Sequence, residues 1–222
     1  MKNIFFDLDG TLTDPAEGIT NSVAYALSKF GIEVKDKKTL KPFIGPPLVD
    51  AFMEYYGFSK ADAEKALVYY REYFAPKGIF ENAVIEGIPS MLEALRAEGK
   101  KLYVATSKPE KFAVRILEHF GLAGYFDGIY GSTMDATRNT KDAVIAYALS
   151  ETGADPADSI MVGDRHHDID GAKANAMRSV GVPYELHVFP FGGHGFGLAT
   201  NTDAYVSRWG GWMIDFFEKF WG

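Results

Sequence analysis

The chain has 222 residues, more than one small domain needs and fewer than two full ones occupy. With 47% hydrophobic and 24% charged residues it can bury a substantial core, which excludes wholesale disorder. A net charge of −7 offers no general attraction for nucleic acid or an anionic membrane, so an anionic ligand needs a local positive site. The absence of cysteine excludes a disulfide scaffold, a zinc-thiolate centre and a cysteine nucleophile, and is compatible with a reducing compartment.

The chain opens on the apolar run Ile4-Phe5-Phe6, interrupted by Asp7 before it reaches the length of a signal-peptide core. No stretch approaches the ~18 apolar residues of a membrane span. These features predict a cytoplasmic protein. Short apolar runs at 3–6, 101–105, 128–130, 159–162 and 179–182 read as strands, and amphipathic stretches at 89–98, 109–120, 141–152 and 169–176 as helices. Gly99, Gly121 and Gly153 follow three of those helices as stop signals, and Pro109 suits a first turn. Strands alternating with helices predict an α/β fold with a parallel sheet.

From about residue 15 to residue 86 the alternation is replaced by helical patterns alone, at 18–30, 47–56 and 60–74. This block reads as an inserted helical subdomain. Its third helix starts at Ser59 with Asp62 three residues on, and Ala66, Tyr69, Tyr70 and Tyr73 form its candidate buried face. The organisation is therefore a core of 1–14 and 87–182, a helical insertion of 15–86 and a tail of 183–222. Candidate hinges lie at Asp14-Pro15 and near 82–87.

The strongest chemical signal is Phe5-Phe6-Asp7-Leu8-Asp9-Gly10-Thr11, an apolar strand running into two carboxylates one residue apart. Residues i and i+2 of an extended segment point the same way, and two convergent carboxylates repel unless a cation or a proton intervenes. A second strand ends likewise in Gly163-Asp164-Arg165-His166-His167-Asp168. Parallel strands deliver such ends to one edge, where Asp164 and Asp168 can join Asp7 and Asp9 around a hard cation such as Mg²⁺. Thr106 and Ser107, closing the strand at 101–105, and Lys141, opening a helix after Thr140, are candidate anion ligands. His166 and His167 are adjacent and lack a third nitrogen ligand at useful spacing, so they read as a solvated loop or as outer contacts rather than a zinc site.

The ordered set of DLDGT, a strand ending in threonine, a lysine and GDRxxD resembles the haloacid dehalogenase superfamily. Within it, the chain is similar to phosphatases with a helical cap after the first motif, of the phosphoglycolate phosphatase and 5′-nucleotidase-like kind. The resemblance covers about residues 1–182. It implies Asp7 as a nucleophile forming an aspartyl phosphate and Asp9 as general acid and then base. It further implies Mg²⁺ held by Asp7, the Asp9 carbonyl and Asp164, with Asp168 binding or orienting the ion, and phosphoryl oxygens met by Thr106, Ser107 and Lys141. A small phosphorylated metabolite is the implied substrate, with a phosphomutase as the alternative reaction. The acidic balance leads us to expect no nucleic-acid or membrane partner, and a monomer or weak homo-oligomer is the expected state.

In the insertion, Asn21 is a candidate contact to a polar leaving group. Lys41, in the loop Lys41-Pro42-Phe43-Ile44-Gly45-Pro46-Pro47, either faces the active site or belongs to the solvated face with Lys35, Lys37 and Lys38. After Val182 the sequence instead resembles the last strand and histidine loop of α/β-hydrolase esterases, around His194, followed by a helix bearing Trp209, Trp212, Phe216 and Phe217. No G-x-S-x-G elbow occurs to supply a serine nucleophile, so an esterase reading lacks its chemistry.

Overall fold

The structure is a computed structural model that describes residues 1–135 and 137–181. The expectations for the tail, including His194 and the tryptophan-bearing helix, lie outside the described residues. The described residues divide into two compact units, the first formed by 1–14 and the described residues from 84 onward, the second by 15–83.

The first unit is built on five parallel strands in the order β5-β4-β1-β6-β7. The strands are β1 (Asn3–Phe6), β4 (Lys101–Pro109), β5 (Gly128–Ser132), β6 (Ser159–Gly163) and β7 (Arg178–Gly181). Ile4, Phe5 and Phe6 are wholly buried, as expected of a central strand covered on both faces. β1 pairs in register with β4 (Phe5 opposite Tyr103) and with β6 (Phe5 opposite Met161). The connections run outward from β1 through β4 to β5, then return to β6 and β7 on the other side. The crevice between the carboxyl ends of β1 and β6 is thus the point where strand order reverses, the place where open α/β sheets bind ligands.

Helices α4 (Ile88–Ala97), α5 (Glu110–His119), α6 (Lys141–Thr152) and α7 (His166–Ala174) supply the layers. Phe5, Tyr103, Val144, Ile145, Ala148, Met161 and Ala172 form one buried cluster beneath α6 and α7. Gly99, Gly121 and Gly153 all adopt the left-handed conformation that ends the helices before them. β4 is four residues longer than the apolar run predicts. Its polar end continues to pair with β5 after a register shift between Thr106 and Pro109, and such backbone pairing leaves no mark in side-chain hydropathy.

The chain leaves the first unit at β2 (Thr13–Asp14) and returns at β3 (Ala83–Val84). The second unit contains α1 (Ala16–Ser28), α2 (Leu48–Tyr56) and α3 (Lys60–Phe74), with a 3₁₀ stretch at Lys37–Phe43. Ser59 caps α3 by accepting the Asp62 N–H at 3.1 Å. Ala66 and Tyr70 are buried, whereas Tyr69 and Tyr73 are half-buried and meet Phe30 and Tyr25 of the α1 region edge-on or tilted. Phe43, Phe52 and Phe58 form the aromatic centre, with Phe43 and Phe52 5.0 Å apart. Among the described residues, no helix is long and apolar enough to cross a membrane.

Candidate active site

Asp7 follows β1 directly, and its N–H still donates to the Val162 carbonyl at 2.9 Å, so the strand ladder aims it over the crevice. The chain then turns tightly. Leu8 O accepts the N–H groups of Leu12 and Thr13 at 2.9 and 3.0 Å, and Gly10 N–H donates to Thr13 O at 2.7 Å. Gly10 sits at φ +84°, and a Cβ there would collide with the Asp164 carboxylate. Both the turn and the approach of the second acidic loop therefore require glycine.

Asp164 and Asp168 arrive from β6 and α7. Asp168 caps its own helix by accepting the Arg165 N–H at 3.0 Å through Oδ2, which leaves Oδ1 turned to Lys141. The Lys141 ammonium lies 2.7 Å from Asp168 Oδ1 and 2.8 Å from Asp7 Oδ1, and also donates to the Ala105 carbonyl at 3.2 Å. One carboxylate oxygen from each of Asp7, Asp164 and Asp168 falls within 4.8 Å of the others. Thr11 Oγ1 lies 3.5 Å from Asp164 Oδ1.

The electrostatics follow from burial and one lysine among three acids. Burial alone pushes Asp7 up, but the Lys141 charge and hydrogen bonds from Lys141, Thr106 and the Leu8 N–H together hold it below the ordinary carboxylate range. Asp168 is raised, first by burial and then by Asp7, with Lys141 only partly offsetting them. Asp164 is pushed up to about 7 by burial and by the Asp7 charge. Burial opposes the charged form of Lys141, yet its two carboxylate partners raise it above its usual value.

The structure brings together Asp7, Asp164, Asp168, Lys141 and Thr106. Asp9 enters the expected metal set through its carbonyl. Its carboxylate lies outside the three-acid group and meets the Lys108 ammonium. Ser107 is exposed at the end of β4. In the second unit, Asn21 is held at both ends of its amide, accepting from Lys37 at 2.6 Å and donating to Glu81 at 2.7 Å. Lys41 is exposed in the 3₁₀ stretch. Two residues of the site were not singled out from the sequence: Lys108, whose only signal is its place just after Thr106-Ser107, and Thr11, which closes the first motif.

Gly163 is the counterpart of Gly10 in the second loop, since a Cβ there would overlap the Asp168 carboxylate. Gly163→Ala is expected to lower stability by about 1–3 kcal/mol and turnover more than about 10-fold. Chemical denaturation with a parallel turnover assay checks both.

A parallel sheet whose reversal point gathers three carboxylates and a buried lysine defines an α/β protein with an acidic centre suited to a cation. A family model described as haloacid dehalogenase-like hydrolase matches residues 4–182, and the chain belongs to that family. It is 50% identical over 203 residues to a 5′-nucleotidase of Pseudomonas aeruginosa, covering 91% of this chain and 87% of that protein. That alignment extends past residue 182. It is 39% identical over 200 residues to a protein of Mycobacterium tuberculosis named tyrosine-protein kinase PtkA, covering 90% of this chain and 65% of that one. A crystal structure described as a predicted phosphatase from Clostridium acetobutylicum superposes with a TM-score of 0.75 at 52% identity, over 81% of this chain and 83% of that one.

Proposed function

We propose that this chain is a Mg²⁺-dependent phosphatase that hydrolyses a small phosphorylated metabolite through an aspartyl phosphate on Asp7. The observation that carries the reading is the convergence of Asp7, Asp164 and Asp168 at the carboxyl edge of the sheet, with Lys141 between Asp7 and Asp168 and with Asp9 two residues beyond Asp7. The name of the Pseudomonas aeruginosa relative makes nucleoside monophosphates the first substrate class to test. The second unit, 15–83, is proposed as the cap that selects the substrate, with solvent-exposed Lys41 a contact and Asn21 acting through the Lys37 and Glu81 it holds.

The donor set fits a hard divalent cation. Three carboxylate oxygens lie close together, and burial and the Asp7 charge push Asp164 far above its ordinary value of 3.8. Asp7, Asp164, the Asp9 carbonyl and, directly or at one remove, Asp168 would hold the ion. When bound, it supplies positive charge that lets an anionic nucleophile approach an anionic phosphate. Asp7, kept ionised by Lys141, attacks phosphorus; the P–O bond to the leaving group breaks as Asp9 gives that oxygen a proton. Asp9 then takes a proton from the water that attacks phosphorus, the Asp7–phosphorus bond breaks, and inorganic phosphate leaves. Lys141 and Thr106 meet the phosphoryl oxygens, where charge accumulates in the transition state. A panel of nucleotides, sugar phosphates and phosphoglycolate, assayed for phosphate release with Mg²⁺ and with chelator, tests the reading. Metal-dependent release supports it, and full turnover in excess chelator overturns it.

The raised Asp164 and Asp168 also predict a pH signature for the cation-free protein. The folded state keeps protons that the unfolded chain gives up near pH 4, so stability falls as pH rises from about 4 to about 7. Asp7 and Lys141 do not contribute in that window, because Asp7 loses its stabilisation only below its ordinary value of 3.8 and Lys141 only above 10.5. A bound cation replaces the protons. Thermal melts are therefore expected to show a larger Mg²⁺-induced rise in Tm at pH 8 than at pH 5.

A further inference from the structure

We propose that Lys108 is a positioning residue for Asp9, and that Arg138 fixes the end of β4 from which Lys108 reaches it. The inference rests on Asp9 as the proton donor and deepens that reading. Lys108 is 99 positions from Asp9 in sequence, yet its ammonium is in direct contact with Asp9 Oδ2. The Lys108 side chain is only 7% exposed. Asp9 Oδ1 is buried and accepts no hydrogen bond from the described residues. The two lysines thus divide the centre: Lys141 serves Asp7 and Asp168, whereas Lys108 grips one oxygen of Asp9 and leaves the other without a hydrogen bond from the described residues. Asp9 sits on a turn past the end of β1, so an outside tether is what holds its carboxylate in one orientation.

Lys108, near the end of β4, is itself braced. Its N–H donates to Thr106 Oγ1 at 3.2 Å, and it lies in the register shift of β4 against β5. Gly131 of β5 passes so close that a Cβ there would stand 2.6 Å from the Lys108 carbonyl oxygen and 2.7 Å from the Glu110 nitrogen. Gly131 N–H donates to Glu110 Oε2 at 3.1 Å, while Arg138 donates to the Gly131 carbonyl at 2.9 Å and to Glu110 Oε2 at 3.0 Å. The guanidinium lies 3.6 Å from the Tyr147 ring centroid. Arg138 therefore ties the end of β5, the first turn of α5 and a face of α6 behind Lys108.

The test compares kcat/KM of the full chain with Mg²⁺ on p-nitrophenyl phosphate, whose leaving group needs little protonation, and on glycerol 2-phosphate, whose leaving group needs it. Lys108→Met is expected to lose about 100-fold on the alkyl ester and less than about 10-fold on the aryl ester. Competitive inhibition by inorganic phosphate should change less than about 3-fold. Lys108→Arg should recover most of the loss, and Arg138→Gln should show the same bias more weakly. Equal loss on both esters, or weaker phosphate inhibition in step with activity, overturns the proposal, and where Lys108→Met does not fold, an Arg138→Gln that loses equally on both esters does so too. Asp9→Asn separates the two readings. If it shows no leaving-group bias, the acid assignment fails and the proposal with it. If it shows the bias and Lys108→Met does not, only the proposal fails.

Discussion

Replacing Asp7 by asparagine is expected to reduce phosphate release by about 10⁴-fold or more while leaving the protein folded. Asparagine keeps the shape of the side chain but has no anionic oxygen to attack phosphorus, and loss of a nucleophile from a catalytic group that acts as a unit costs on that order. The backbone that places residue 7 does not depend on its charge, since the Asp7 N–H bond to Val162 and the turn around Leu8 are main-chain contacts. Acid-quenched reactions with radiolabelled phosphoester should give covalent label on the wild type and none on Asp7→Asn. Wild-type turnover and labelling by Asp7→Asn would remove Asp7 from the mechanism.

Lys141→Met is expected to have the largest effect on stability, a loss of about 3–5 kcal/mol at pH 7, with turnover down about 10²- to 10³-fold. The side chains of Lys141, Asp7 and Asp168 are 5%, 10% and 2% exposed, so removing the ammonium leaves two buried carboxylates facing each other without compensation. The sign of the pH dependence follows: Asp168 is already raised, and protonating it at pH 5 relieves the repulsion, so the stability deficit should shrink there. Adding Asp168→Asn to Lys141→Met should likewise restore part of the stability without restoring activity. Urea denaturation of the single and double variants at pH 5 and pH 7 measures both effects. A deficit independent of pH and of Asp168 would show that Lys141 acts through packing instead of charge.

The two acidic motifs were legible because each follows an apolar strand, and parallel strands bring their carboxyl ends to a common edge whatever the intervening sequence. Asp7, Asp164 and Asp168 meet there for that reason. Lys141 was legible as a helix start, but its burial between two carboxylates was not, because it depends on how closely α7 approaches α6. Gly171 permits that approach: a Cβ there would stand 3.0 Å from Lys141 Cγ. Lys108 is not legible, for the converse reason. A lysine in a polar loop reads as solvated, and only the register shift of β4 and the bracing by Arg138 turn it inward to Asp9. Asn21 adds a second long-range pairing that the sequence does not record, its amide meeting Lys37 and Glu81 within its own unit.

The sequence by itself determined the α/β class, the order of the strands and helices, and the carboxylates at two strand ends, since these follow from local hydropathy and chain direction. Tertiary structure alone decided which charges face one another: one lysine shared by Asp7 and Asp168, another on Asp9, and an Asp164 pushed up by burial among them. Those pairings join residues far apart in the chain, and their strength is set by burial, which no local pattern of residues records.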